Sequence, residues 1–523
     1  MRAGGRHARR MALAGGVLLG LLLLFWAAEG AARPGGGHSY SGGGSSSSGG
    51  GGGGSGGGGE GAFQAIFYLL MLCIEAPAIG IPVVCVLVAI GVGVVVAKKR
   101  ERGSSWSTSA PAAAPVAARG SRPRAFLQGL RRDDPDFSLV LFEDFLYALY
   151  ARAHEARGNG RLAELAPYLG PGAGRVLGAA RAPGVKDVII GAMALERACD
   201  AARGPERWVT ATVRFEACMT ELDAAGRPAG VFAVERWTLA RRRDAKSKAP
   251  GKATVFGCPS CGGPLEALRG ETCAYCGTTF RVGVFDWCVD DITVVERQRR
   301  APALTADVAE QGTSLPTVVD PQADQRFRAL AARDPHFSWA TLQARLALVF
   351  ARLQVAWSTR EWLLARPFVS DNLFQMQLFY VQSYVAARLY NKTERARITH
   401  VQCANVESDK YFDAITVRVY ATGLDYTVDE SGKVVSGSKK RERPYSEYWT
   451  LIRGAQVSRP TLATPECPNC GAPLEAPPGA EVPGAAPVGI GMTGNCLHCR
   501  AKVTNGDFDW VLSRIEQDEA YQG

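Results

Sequence analysis

Catalytic equipment is scarce in this chain. There are 6 histidines in 523 residues, none of them clustered, and neither a nucleophile elbow nor a glycine-rich phosphate loop is present, so the common routes to nucleophilic and phosphoryl-transfer chemistry lack their residues. A disulfide framework is missing too. Of 14 cysteines, eight fall in Cys-x-x-Cys pairs, and Cys73, Cys85, Cys199, Cys218, Cys288 and Cys403 stand singly in mostly apolar surroundings, as small core or membrane residues do. Strand and helix patterns do not alternate as βαβ units, which excludes a parallel doubly wound sheet and disfavours a redox role for the paired cysteines. Between Pro34 and Ala97 there is no Lys or Arg at all.

What is present comes twice. Trp237-Thr238-Leu239 is followed by Cys258-Pro-Ser-Cys261-Gly-Gly-Pro-Leu-Glu266, Cys273-Ala-Tyr-Cys276 and Phe285-Asp286-Trp287, and the order returns as Trp449-Thr450-Leu451, Cys467-Pro-Asn-Cys470-Gly-Ala-Pro-Leu-Glu475, Cys496-Leu-His-Cys499 and Phe508-Asp509-Trp510. Two such pairs in tandem let two short knuckles close a tetrahedron of thiolates, the arrangement zinc favours. The spacers between pairs are 11 and 25 residues, which a hairpin can bridge. Gly262, Gly277 and Gly471 follow the second cysteine of their knuckles, where a positive φ is often needed; Arg500 breaks that pattern. Two structural zinc ions are therefore expected, one on Cys258, Cys261, Cys273 and Cys276 and one on Cys467, Cys470, Cys496 and Cys499. With every ligand a cysteine, no position is left for water or substrate.

The N-terminus is organised for a membrane. Arg2, Arg6, Arg9 and Arg10 precede an uncharged run from Met11 to Ala28, which reads as a signal peptide or a retained signal anchor. From Gly35 to Gly61 all residues but His38, Tyr40 and Glu60 are Gly or Ser, a flexible tether. The apolar stretch from Ala62 to Ala97, interrupted by Glu75, Pro77 and Pro82, ends on Lys98, Lys99, Arg100 and Arg102. That basic flank predicts a transmembrane segment with everything after it in the cytoplasm, in agreement with reduced cysteines.

Each of the two soluble modules opens on a helix start, Asp134-Pro-Asp-Phe-Ser138 and Asp334-Pro-His-Phe-Ser338, followed by apolar residues at helical spacing: Phe137, Leu141, Phe142, Phe145, Leu146, Leu149 and Tyr150 in one, Leu342, Leu346, Val349, Phe350, Leu353 and Trp357 in the other. More helix is expected near Leu162 to Tyr168 and from Trp362 to Tyr390. The period then changes. Trp208 to Phe215 and Ile415 to Tyr420 read as strands, and polar turns at Asp223 to Gly230 and Asp429 to Lys433 lead into returning strands that carry the Trp-Thr-Leu triplets. Helices first and an antiparallel meander second define an α+β class.

This order of features resembles the Tim44-like domain family. The second copy carries the likeness best, in Asp334-Pro335-His336-Phe337-Ser338, Ala356-Trp357-Ser-Thr-Arg360, Arg366-Pro367-Phe-Val-Ser-Asp371, Asp425-Tyr426-Thr-Val-Asp429 and Tyr448-Trp449-Thr-Leu451. Bacterial members look similar further out, with a signal-like start, a Gly/Ser tract, a membrane span and a zinc ribbon ending in Phe-Asp-Trp. The first copy departs from the pattern, lacking an equivalent of Trp357 and the Asp-Tyr-Thr-Val-Asp run. The resemblance implies a cone of helices on a curved antiparallel sheet, similar to nuclear transport factor 2, and a membrane-associated binding or scaffold role, since the mitochondrial relative recruits a chaperone motor to an import channel and contacts anionic lipid.

The expected organisation is a signal peptide or anchor at 1–32, a Gly/Ser linker at 33–61, a transmembrane segment at 62–97, a basic and Ala/Pro linker at 98–124, Tim44-like domains at 125–250 and 321–459, zinc ribbons at 251–297 and 460–516, a linker at 298–320 and a tail at 517–523. The expected function is a scaffold, not an enzyme, holding a polypeptide or anionic lipid partner at the cytoplasmic face of a bacterial-type inner membrane. Two alternatives are open. A cone can house a buried acid or base, for which Asp413, Tyr420 and Asp425 are the candidates. The runs Arg241-Arg242-Arg243, Lys246, Lys248, Lys252 and Lys439-Lys440-Arg441-Glu-Arg443 could serve nucleic acid, although they lack interleaved aromatics.

Overall fold

A computed structural model describes residues 116–117, 123–180, 182–253, 256–258, 260, 268–269, 272–279, 282–299, 313–474, 489–518, 520–521 and 523. The expected leader at 1–32, the Gly/Ser linker, the transmembrane segment at 62–97, most of the basic linker and Cys261 lie outside these residues. Among the described residues, no helix is long and apolar enough to cross a membrane.

Both modules begin as the helix-start signals predict. Ser138 is extended, at φ −119° and ψ 126°, and its hydroxyl accepts from the Leu141 N–H to start helix α2 (Leu139–Gly158), after a short α1 (Pro123–Gln128). Ser338 does the same for α5 (Trp339–Thr359) through a reciprocal box with Thr341, behind α4 (Ala323–Arg333). Each module then makes a 3-10 stretch, Leu162–Leu165 or Trp362–Phe368, and a further helix, α3 (Pro171–Ala179) or α6 (Asp371–Ala386). The stretch expected to be helical from Trp362 to Tyr390 is thus 3-10 through Pro367 and broken at the extended Val369. It restarts on the Ser370 cap and ends where Arg388 turns to φ 56°.

The first sheet comprises β1 (Val185–Arg203), β2 (Glu206–Leu222), β3 (Pro228–Arg242) and β4 (Cys288–Arg299), antiparallel and in that spatial order. In the second, β6 (Phe412–Asp429) pairs with β5 (Leu389–Ser408), with the short β7 (Val434–Gly437) and with β8 (Arg443–Gly454), and β8 pairs with β9 (Val511–Gln517). The predicted turns are in place: the carboxylates of Asp223 and Asp429 each accept from two backbone N–H groups of their own turn. Three register shifts between β1 and β2, and three between β5 and β6, bend the long strands around the helices.

The last strand of each sheet changes the expected boundaries. Strands β4 and β9 follow the cysteine segments in the chain, yet they lie beside β3 and β8. The segments expected as appended ribbons at 251–297 and 460–516 are therefore insertions before the last strand. The expected tail at 517–523 is also part of the fold. Asp518 forms a buried ion pair with Arg418, and Tyr521 stacks on Tyr448 with centroids 3.9 Å apart.

Helices and sheet enclose one apolar core per module. Phe142, Leu146, Leu149 and Ala153 on α2 meet Val213, Phe215 and Trp237, while Leu346, Phe350, Leu353 and Trp357 on α5 meet Ile415, Val417 and Trp449. Full burial of such a side chain contributes about 1.5–3 kcal/mol. The two cores are not independent, because Cys218, Phe232 and Val234 of the first sheet belong to the core of the second module. A polar seam also joins the modules, in which Glu143 pairs with Arg514, Asn372 donates to Asp144 at 2.8 Å, and Tyr411 donates to Asp136 at 3.1 Å.

Candidate metal centres

The cysteines gather as their spacing predicts. Cys467, Cys470, Cys496 and Cys499 bring their sulfurs within 4.8 Å of one another, as do Cys258, Cys273 and Cys276. Specific pairs lie at 3.7 Å (Cys467 and Cys499), 3.9 Å (Cys470 and Cys496) and 3.7 Å (Cys258 and Cys276). A tetrahedron of thiolates with metal–sulfur bonds of about 2.3 Å has edges of about 3.8 Å, so both clusters have the dimensions to hold a metal ion.

The knuckle backbones explain the residues around the cysteines. The N–H of Cys467 donates to Ala472, that of Cys496 to Ala501 and that of Cys273 to Thr278, at 2.8, 2.9 and 3.0 Å. In return Gly471, Arg500 and Gly277 donate to the carbonyls of those same cysteines. Closing this loop needs a left-handed residue, and the three have φ of 71°, 64° and 68°. Arg500 therefore departs from the glycine pattern in residue type only. The amide of Asn469 and a backbone N–H from Ala501 draw the Cys499 thiol down to about 6, whereas burial pushes Cys467 up to about 12.

Beneath each cysteine segment lies a buried cluster that collects the other repeated motifs. Asp134, from the helix-start motif, pairs with Arg241 at 3.1 Å, and the Arg241 guanidinium carbon sits 5.2 Å from the ring of Trp287, from Phe-Asp-Trp. Asp334 pairs with Arg453, which lies 4.6 Å from Trp510. In both modules the arginine is four residues beyond the tryptophan of Trp-Thr-Leu. That tryptophan, Trp237 or Trp449, donates to the buried carboxylate two residues before it, Glu235 at 2.8 Å or Glu447 at 3.0 Å. Asp286 and Asp509 each accept from the N–H of the following tryptophan.

The family-like residues of the second module knit α5 to the sheet. Trp357 donates to Asn391 at 2.7 Å, and Asn391 donates to Asp425 at 2.8 Å. Arg360 takes the left-handed C-cap position at φ 65° and covers the Tyr390 ring at 3.4 Å. The proposed acid/base residues do not converge. Asp413 is held by Arg333 and Ser408, Tyr420 is hydrogen-bonded to Thr317, and Asp425 sits in the Asn391 network. Strung along one strand, neighbours among them stand about 16–23 Å apart at 3.3 Å per residue.

The basic run of the first module is likewise engaged with its own fold. Arg241 is buried on Asp134, Arg242 meets Asp244, Arg243 meets Asp133 and Asp200, and Lys248 pairs with Asp286 at 2.6 Å. One buried polar group was missed in the sequence. His154 contacts Glu235 at 3.1 Å and accepts from Arg157 at 2.9 Å. Burial works against the Glu235 carboxylate, but His154, Trp237 and Arg157 prevail and hold it at about 2. The only signal for this pair was polarity on an otherwise apolar helix face.

Residues 323–461 match the family model of the Tim44-like domain. The match spans α4 to α6 and β5 to β8 of the second module, and a Tim44-like domain suggests a binding or scaffold role. No curated protein matches the chain.

Proposed function

We propose that the chain is a membrane-tethered scaffold in which two related cone modules, each stabilised by a structural zinc ion, hold a polypeptide or lipid partner at the cytoplasmic face of a bacterial-type inner membrane. The observation that carries this reading is the Tim44-like match at 323–461. The closed all-cysteine sets suit a structural ion, with Cys258, Cys261, Cys273 and Cys276 holding one and Cys467, Cys470, Cys496 and Cys499 the other. The duplication is supported by the paired Asp–Arg–Trp clusters and by the last strand of each sheet, which follows the cysteine segment in both modules. Tethering rests on the uncharged run before Lys98, and orientation on the basic residues that follow it.

Anionic headgroups fit one end of the second sheet. Exposed Val434 and Val435 on β7 share that end with the exposed cations Arg395, Lys439, Lys440 and Arg441. Each basic residue near an anionic surface is worth about 1 kcal/mol. The test is flotation of the chain from Arg124 onward with anionic and neutral vesicles, together with crosslinking to neighbouring polypeptides in membranes. Salt-sensitive binding to anionic vesicles, or a reproducible polypeptide crosslink, supports the scaffold. Neither, together with a turnover that Asp413→Asn abolishes, would replace it with an enzyme.

A further inference from the structure

The second cysteine segment touches the seam between the modules by two separate routes. In the first, Lys502 donates to both carboxylate oxygens of Asp371 at 2.8 and 2.7 Å, Thr504 donates to Asp371 at 3.3 Å, and Arg366 spans from Asp371 to the carbonyl of Met492 at 2.8 Å. Asp371 opens α6, and the next residue, Asn372, donates to Asp144 of the first module. In the second route the segment leads directly into β9. There Arg514 pairs with Glu143 of the first module and Glu516 lies 3.7 Å from Arg514, while Arg124 reaches Glu143 at 3.0 Å and Glu516 at 3.9 Å. The two routes end on neighbouring residues of α2, Glu143 and Asp144.

The first cysteine segment is placed differently. Among its described residues, these contacts run to its own module: Tyr168 donates to the Gly257 carbonyl at 2.9 Å, Phe256 packs on Tyr168 and Phe145, and Lys248 holds Asp286. The seam itself is poorly filled. Arg124, Glu143, Asp144, Asn405 and Arg514 line a cleft of about 30 Å³, and the Asn405 side-chain oxygen is buried without a partner. A space of this size has room for one or two waters.

We infer that metal occupancy of the second cysteine set regulates the docking of the two modules, by fixing Lys502 and β9 in the positions from which Asn372 and Arg514 hold α2. This rests on the reading of Cys467, Cys470, Cys496 and Cys499 as a zinc site. A zinc knuckle folds with its ion, so loss of the ion releases the chain that carries Lys502, Thr504 and the entry to β9. The shared apolar contact at Cys218, Phe232 and Val234 is made by side chains that form none of the polar contacts of either route, and it keeps the modules associated while the polar seam opens.

The experiment is hydrogen exchange on the full-length protein in detergent, zinc-loaded and after chelation, with zinc measured in the same samples. Zinc loss should raise exchange in residues 139–147 and 511–517 by about fivefold or more, the factor expected when an interaction of about 1 kcal/mol is lost from a local opening equilibrium. Exchange in β2 and β3 should change little. A second variant avoids the cysteines: Lys502→Ala should retain zinc and still raise exchange in 139–147. Zinc loss with unchanged exchange in 139–147 overturns the coupling alone, as does an unaltered Lys502→Ala protein. Freshly isolated protein without zinc overturns the metal reading, and the coupling with it.

Discussion

Arg453 places its guanidinium carbon 4.6 Å from the centre of the Trp510 ring while donating to Asp334, with both charged side chains almost fully buried. The ring belongs to the segment that follows the cysteines, the arginine to the strand before them, and the aspartate to the start of the module. One ion pair thereby ties three distant parts of the chain. Its counterpart is Arg241 between Asp134 and Trp287.

Removing one partner of such a pair leaves a buried charge uncompensated. Asp334→Ala should cost about 3–5 kcal/mol, and Asp134→Ala a similar amount. Denaturant unfolding of the chain from Arg124 onward measures this. Losses near 1 kcal/mol would mean that water reaches the arginine.

Zinc content provides the second check. Metal analysis should find about two ions per chain on the logic of closed four-cysteine sites. Cys258→Ser or Cys496→Ser should each remove one of them. Disulfides within either set in anaerobically purified protein would contradict the assignment.

Arg500 occupies a left-handed position that its two counterparts fill with glycine. Arg500→Gly should stabilise the second cysteine segment by roughly 1 kcal/mol, the usual penalty for a side chain in that conformation. Competition for zinc against a chelator would show it as tighter retention.

The seam should respond to pH through Asp144. Burial, Glu143 and Asp371 push its carboxyl up to about 7, against the pull of Arg514 and the Asn372 amide. Its ordinary value is 3.8, so between these values the folded protein holds a proton that the unfolded chain has released. The associated stability is fully present below the lower value and is lost as pH rises through the upper one. Unfolding midpoints should therefore fall from pH 5 to pH 8, and Asp144→Asn should flatten that slope and raise the midpoint at pH 8. An unchanged slope would place the titration elsewhere.

Local signals were legible in the sequence where one residue decides the backbone. Ser138 and Ser338 cap the helices that follow them, Asp223 and Asp429 make the expected turns, and seven of the eight paired cysteines gather in two sets among the described residues. The long first strands were hidden. Around Lys186 to Arg197 and Glu394 to Asn405 the register slips repeatedly, so apolar residues stop alternating and the strand period disappears. Position in space was hidden too. Nothing local to Cys288 or Val511 says that these strands return across an entire cysteine segment to pair with β3 and β8. The seam is likewise illegible, since Asp144 and Asn372 are ordinary polar helix residues until two modules bring them together.

The late arrival of β9 has a consequence for synthesis. As the chain leaves the ribosome, β8 is complete while its neighbour has not yet been made, and an open hydrogen-bonding edge waits for the cysteine segment to fold behind it. A cell short of zinc would prolong that interval. On the proposed zinc reading, newly made protein would then be lost to aggregation or proteolysis before it ever reached a finished state, so supply of the ion would govern how much of the protein exists.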